Sequence, residues 1–80
     1  MSRARAVVEA IAKALADKPG AVSVTESEGR GQTWLDLTMA PGDMGRVIGR
    51  QGRTAQAVRT LANLAAEMDG TKVSVDFRDQ

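Results

Sequence analysis

The chain has 80 residues, 11 of them basic and 10 acidic, for a formal net charge of +1. A chain of this length forms one domain, here spanning 1–80, and buries only about 60% of its unfolded surface, so pairing with a second chain would add stability. It contains no cysteine and no histidine, which excludes disulfides and removes the commonest general base and metal ligands. We therefore expect no catalytic residue, metal site or cofactor.

The apolar segments are short and amphipathic, and none approaches the roughly 20 residues that span a bilayer. The N-terminus begins with basic residues but then mixes apolar residues with Glu9 and Lys13, which differs from the unbroken apolar core of a signal peptide. These features predict a cytoplasmic protein with no membrane partner.

Helical and strand-like patterns alternate along the first half of the chain. Apolar residues recur at helical spacing over 4–15, and the Pro19-Gly20 pair ends this predicted helix. Two segments with alternating apolar residues follow, at 21–25 and 34–39, separated by a glycine-containing turn at 28–32. This arrangement predicts a β-hairpin.

The second half predicts two helices and a strand. Asp43 is the predicted N-cap of a short helix over 44–48, and a longer helix follows from about Arg53 to Met68. The last strand is predicted over 72–78. The inward stripe of the longer helix, at i, i+3, i+4 and i+7, comprises Val58, Leu61, Ala62 and Ala65.

The predicted fold is α+β with the order αββααβ. Each strand has one apolar and one polar face, so the three helices should cover one face of a three-stranded sheet. Alternation puts Trp34 on the opposite face. Three interpretations of Trp34 stay open: a half-buried edge residue, a dimer contact or a tolerated surface residue.

Positive charge is concentrated in one stretch. Between Met44 and Ala66 there is no Asp or Glu, but there are four arginines, namely Arg46, Arg50, Arg53 and Arg59. Such a segregated stretch in a nearly neutral protein favours an anion partner. The alternative is a solvated, arginine-rich helix face.

Two glycines, Gly49 and Gly52, enclose Arg50 and Gln51 between the two predicted helices. Glycine permits unusual backbone angles and removes the Cβ that would keep a ligand backbone away. The N–H groups that open the second helix lack intrahelical partners and favour phosphates. The alternative is a helix–loop–helix turn in which the glycines serve geometry only.

The segment 43–54 reads Asp-Met-Gly-Arg-Val-Ile-Gly-Arg-Gln-Gly-Arg-Thr. It resembles the core of the KH domain, in which a short helix ending in Ile-Gly leads into a GxxG loop. The αββααβ order resembles the type II arrangement, and the chain length and the segment 40–60 resemble the small bacterial single-KH proteins of the KhpA family. The resemblance covers essentially the whole chain.

This resemblance implies that the GxxG loop clamps about four nucleotides of single-stranded RNA, with the bases in an apolar groove between the central helices and the last strand. Many KH domains carry a larger aliphatic residue where this chain has Ala55, which predicts a wider groove. The low aromatic content fits an aliphatic groove better than an aromatic stacking platform. The predicted RNA-binding residues are Arg46, Val47, Ile48, Gly49, Arg50, Gln51, Gly52, Arg53, Ala55, Arg59 and Val75.

The family resemblance also implies an RNA chaperone or post-transcriptional regulator that forms a homodimer and pairs with a larger KH protein of the Jag family. Ala57, Leu64 and Met68 widen the apolar face of the longer helix, unless the first helix covers them. The predicted dimer contacts are Leu61, Leu64 and Met68.

A protein-interaction module with a purely structural glycine loop is the alternative function. A nucleotide-binding enzyme is disfavoured, because the sequence lacks both G-x-x-x-x-G-K-[ST] and a G-x-G-x-x-G that follows a strand.

Overall fold

A computed structural model of the chain describes residues 2–48 and 52–79. The elements in chain order are α1 (Arg3–Leu15), a 3-10 turn (Pro19–Ala21), β1 (Ser23–Gly29), β2 (Gln32–Met39), α2 (Pro41–Ile48), α3 (Arg53–Met68) and β3 (Lys72–Asp79). The predicted αββααβ order and the α+β class are confirmed. Within the described ranges, no helix is long and apolar enough to cross a membrane.

The three strands form one mixed sheet with β2 in the centre. Strand β1 is antiparallel to β2, with Val24 opposite Leu37. Strand β3 is parallel to β2, with Val75 opposite Leu35. The parallel pair follows from the connection, because α2 and α3 carry the chain back across the sheet before β3 begins. Strand β3 is therefore an edge strand beside α3.

The β1–β2 hairpin closes through a two-residue turn at Arg30 and Gly31. Gly29 pairs directly with Gln32, so both strands extend further toward the turn than the sequence pattern predicted. Arg30 has φ 51° and Gly31 has φ 76°, and two successive left-handed residues are typical of a type I′ turn. Asn or Gly is the usual first residue of such a turn, so Arg30 adopts this conformation at a cost.

The helices pack on one face of the sheet, as predicted. The buried side chains of the sheet are Val24, Thr33, Leu35, Leu37, Met39 and Val75. The buried side chains of α1 and α3 are Ala4, Val8, Ala12, Ala55, Val58, Ala62, Ala65 and Ala66. Because most of these helical residues are alanines, α1 and α3 can approach each other and the sheet closely.

The prediction that Leu61 faces the core is wrong. Its side chain is 46% exposed, and Leu64 and Met68 are 54% and 70% exposed. Helix α3 is rotated so that its alanines face α1 and the sheet, which leaves the larger apolar residues outside. Packing against α1 therefore does not cover Leu64 and Met68.

Polar contacts tie the start of α1 to β1 and to the end of α3. The Ser2 hydroxyl accepts from the Arg5 N–H at 3.0 Å, which caps α1, and donates to the Glu26 carboxylate on β1. This hydrogen bond holds the pKa of Glu26 below its ordinary value. The Arg3 N–H donates to the Asp69 carboxylate at 3.0 Å, which joins the start of α1 to the end of α3.

Candidate nucleic-acid interface

A surface groove of about 430 Å³ lies between the end of α2, the first half of α3 and the outer edge of β3. Its lining residues are Ile48, Gly52, Ala55, Gln56, Arg59, Asp76 and Phe77. The groove therefore occupies the place between the central helices and the last strand that the family resemblance implies.

Helix α2 ends beside this groove with two consecutive apolar residues, Val47 and Ile48, that have different environments. Val47 is fully buried in the core, whereas Ile48 is 42% exposed and lines the groove. Val75 is also buried, because it lies on the inward face of β3. Val47 and Val75, both predicted to bind RNA, are therefore not among the lining residues of the groove and support its walls from within the core.

The start of α2 differs from the prediction. The helix begins at Pro41, a residue suited to the first helical position, so Asp43 lies in its first turn and is not its N-cap. The buried Asp43 carboxylate accepts N–H groups from Asp17 at 3.1 Å and from Lys18 at 2.9 Å. These bonds fasten α2 to the segment that follows α1.

Gly52 opens α3 at the same end of the groove. It has φ 70° and ψ 17°, a left-handed conformation that glycine adopts without the penalty of a Cβ. Gly52 has no side chain to cap the helix, and no such cap is present. Because Gly52 lines the groove, α3 begins beside it, and the positive end of a helix dipole favours an anion. Arg53 follows as the first residue of α3 and is exposed.

The remaining loop residues Gly49, Arg50 and Gln51 lie outside the described residues, and so does the side chain of Arg46. Their predicted roles in RNA binding stay predictions.

Arg59 lies along the groove on the β3 side. Its Nε donates to the Val75 carbonyl oxygen at 3.3 Å, which is available because β3 is an edge strand. Its guanidinium carbon lies 4.8 Å from the centroid of the Phe77 ring, a cation–π distance. These two contacts hold the guanidinium at the groove, where its other N–H groups can donate to a ligand.

Sequence reasoning missed three lining residues, Gln56, Asp76 and Phe77. Gln56 precedes Arg59 by three positions on α3, so helical periodicity alone could have found it. Alternation along the predicted strand 72–78 puts Phe77 on the apolar face and Asp76 on the polar face, and gives no reason to place the two in one site. Both line the groove because β3 is an edge strand. No strand pairs with its outer side, so side chains from either face of β3 can border the groove there.

Comparison with known proteins gives the same assignment as the motif. The family model for the KH domain of KhpA and KhpB matches residues 5–77. The chain belongs to this family.

Several relatives match nearly the whole chain. The RNA-binding protein KhpA of Caldanaerobacter subterraneus subsp. tengcongensis is 50% identical over 71 residues, which cover 89% of this chain and 95% of the relative. KhpA of Clostridium perfringens is 48% identical over 71 residues, with the same coverage. KhpA of Aquifex aeolicus is 38% identical over 77 residues, covering 96% of this chain and 98% of the relative. These relatives are named as RNA-binding proteins, in agreement with the prediction that the chain is not an enzyme.

A crystal structure of Aquifex aeolicus Era bound to GDP and AlF4⁻ resembles the fold with a TM-score of 0.63. The match covers 95% of this chain and 29% of the Era chain, at 17% sequence identity. At this identity the likeness concerns the fold alone.

Proposed function

We propose that this chain binds single-stranded RNA in the groove between α2, α3 and β3, with the loop 49–52 clamping the RNA backbone. The observation that carries the proposal is the position of Gly52, which lines the groove and directly precedes α3. The names of the KhpA relatives support RNA as the ligand.

The phosphate contacts are assigned to the arginines around this end of the groove. Arg46, Arg50 and Arg53 flank or lie within the glycine loop, and no acidic residue occurs between Met44 and Ala66. Gly49 and Gly52 would let the RNA backbone approach closely. A grip on about four nucleotides makes few contacts, so we expect a dissociation constant on the order of micromolar or weaker.

The base contacts are assigned to the groove walls. Ile48 and Ala55 supply aliphatic surface, and Gln56, Arg59 and Asp76 supply polar groups that can bond to base edges. Ala55 is short, so the groove beside it is wide and the base contacts are expected to be weak. The phosphate grip should then supply most of the affinity.

The cellular role assigned to this activity is that of a cytoplasmic RNA chaperone or post-transcriptional regulator. A weak grip with few base contacts would allow transient binding to many transcripts, which suits either role.

A homodimer is also proposed, through the exposed apolar stripe on α3 formed by Leu61, Leu64 and Met68. Gln56 and Arg59 line the groove on the other flank of the same helix, so a partner on the stripe would leave the groove open. The matching family comprises the KH domains of both KhpA and KhpB. A related domain, such as that of a larger Jag-family protein, could therefore take the place of the second copy.

The same stripe favours the alternative function, a protein-interaction module whose glycine loop is only structural. A pull-down with and without nuclease separates the two functions. Partners that remain after nuclease treatment bind through protein contacts, whereas partners that are lost were bridged by RNA.

The decisive test is the double substitution Arg50→Asp with Gln51→Asp. It keeps both glycines but replaces a cation and a neutral donor with two anions where a phosphate should bind, so affinity should fall at least tenfold through repulsion and loss of donors. Fluorescence anisotropy with a short single-stranded RNA measures binding, and thermal melting checks the fold. An intact fold with undiminished affinity would show that the loop is not the clamp.

A matched control carries the same change in charge outside the groove. Lys18→Asp with Gly20→Asp alters two exposed positions between α1 and β1, and nothing lies within 4 Å of a Cβ added at Gly20. This variant should retain most of the affinity. For the unmodified protein, the slope of log K against log salt should be roughly −2 to −3, from about −0.7 for each phosphate neutralised by Arg46, Arg50 and Arg53, and by Arg59 if it is a fourth contact.

A further inference from the structure

The open face of the sheet carries Trp34, the only tryptophan of the chain, which the groove does not use. Its side chain is 46% exposed. Its direct cross-strand neighbours are Ser27 on β1 and Ser74 on β3. Both are small, so neither rises far enough above the sheet to cover the indole ring.

The ring of Trp34 leans across β1 at Gly29. A Cβ added to Gly29 would lie 3.6 Å from Cζ3 and 3.9 Å from Cη2 of the ring. Because Gly29 is diagonal to Trp34 in the register, the indole lies along the sheet and does not stand upright on it. An aromatic ring held in this way presents a π surface to solvent, which is the surface on which unpaired bases stack.

Two cations lie at the same end of the sheet. Arg30 directly follows Gly29, and Lys72 pairs with Gln32 while its N–H donates to the Gly31 carbonyl at 3.0 Å. Neither side chain has an ion-pair partner within residues 2–48 and 52–79. Arg30 also occupies a left-handed position that suits Asn or Gly better, and a phosphate contact would explain an arginine there.

Glu67 of α3 lines a cavity beside Arg30 and Lys72 but forms no ion pair with either within the described residues. Arg78 and Asp36 pair with each other at 3.2 Å. Asp76 is the remaining acid on the open face of β3, and it lies between Trp34 and the groove that it also lines. Strand spacing and rise put Trp34 only about 8 Å from the Asp76 backbone. A strand of RNA that leaves the groove over β3 therefore reaches the indole with a short extension.

We propose that Trp34 stacks on a base of single-stranded RNA beyond the groove, while Arg30 and Lys72 bind the neighbouring phosphates. This inference rests on the proposed RNA-binding function and deepens it, because it makes RNA longer than about four nucleotides the preferred ligand.

Intrinsic fluorescence tests the stacking directly, since all tryptophan emission comes from Trp34. Single-stranded RNA of eight nucleotides should quench this emission, and RNA of four nucleotides should change it little. Parallel anisotropy with labelled RNA reports binding independently of Trp34. Binding of the longer RNA without quenching would overturn the stacking proposal and leave the groove intact, whereas no binding of either RNA would overturn the proposed function itself.

Substitution of Trp34 separates stacking from a structural role. Trp34→Leu keeps an apolar side chain without a π surface, so affinity for eight nucleotides should fall about fivefold or more, from the lower end of stacking free energies. Affinity for four nucleotides should stay within about twofold, since stacking lies beyond the groove. Trp34→Phe should restore part of the loss. Equal losses for both lengths, or emission that depends on protein concentration without RNA, would contradict the proposal.

Arg30→Asn provides a second variant that does not endanger the fold, because asparagine favours the left-handed turn position. Its melting temperature should equal or exceed that of the unmodified protein. Its affinity for the longer RNA should fall, and its salt slope should be shallower by about 0.7, as expected for one lost phosphate contact. An unchanged affinity and slope would remove Arg30 from the proposed surface.

Discussion

The two flanks of α3 (Arg53–Met68) show opposite relations between side-chain size and burial. The buried flank consists of alanines around Val58, whereas Leu61, Leu64 and Met68 are exposed on the other flank. Large apolar residues are ordinarily the buried ones. The alanines of the buried flank form the close contact of α3 with α1 and the sheet, which we call the alanine seam. The large apolar residues of the other flank remain available for a partner.

A third side of the same helix faces the groove through Gln56 and Arg59. One helix of 16 residues thus serves internal packing, the proposed assembly and the proposed RNA binding on separate sides. Asn63 is exposed and lies away from the apolar stripe, so it offers a matched control position for the substitutions below.

The largest effect on stability is expected from Ala62→Leu. Ala62 is fully buried in the seam, and leucine there should destabilise by about 1–3 kcal/mol through overpacking, although its helix propensity is good. Urea unfolding measures the change. Asn63→Leu, which introduces the same residue at the next position, should alter the free energy of unfolding by no more than about 0.5 kcal/mol. Equal effects at the two positions would mean that the seam is not tightly packed.

Truncation to alanine on each flank of α3 compares how much a buried and an exposed apolar side chain contribute to the free energy of unfolding. Val58→Ala should cost about 2 kcal/mol, because it removes buried methyl groups and leaves a cavity. Leu61→Ala should cost less than about 1 kcal/mol in dilute solution, since nearly half of its side chain already meets water. If Leu61 is buried in a dimer, its cost should rise with protein concentration, which thermal melting over a concentration series would detect.

Leu64→Glu should affect assembly more than folding. A charge in the exposed stripe should yield a monomer whose free energy of unfolding differs by about 0.5 kcal/mol or less from that of the dissociated unmodified chain. Sedimentation measures the oligomeric state, and Asn63→Glu should leave the dimer intact. A monomeric unmodified protein at high concentration would contradict the proposed homodimer.

The smallest effect is expected at the end of the seam, where Asp69 meets Arg3. The ion pair of 3.2 Å is partly exposed, with 58% of the Arg3 side chain and 29% of the Asp69 side chain accessible, so Asp69→Asn should cost about 0.5 kcal/mol, and added salt should reduce the difference. Chemical unfolding at low and high ionic strength measures it. A cost above about 2 kcal/mol would mean that this contact, and not the alanine seam, holds α1 to α3.

The element order was predictable from the sequence because it depends on local patterns. Alternation in 34–39 and helical spacing over 4–15 each give the element one apolar face, whichever elements pack against it. The glycine loop was likewise recognisable from residues 43–54, and the family comparison agrees with it.

Tertiary structure alone decided the features that depend on what each element packs against. Val58 and Leu61 both belong to the apolar arc of α3, and only the close approach of α1 and the sheet determines that Val58 is buried and Leu61 exposed. In the same way, Val47 and Ile48 are adjacent apolar residues, and the position of α2 over the core assigns one to packing and the other to the groove. Sequence periodicity therefore determined which faces are apolar, but helix rotation, which is a property of the packed assembly, determined which apolar residues can meet a ligand or a partner.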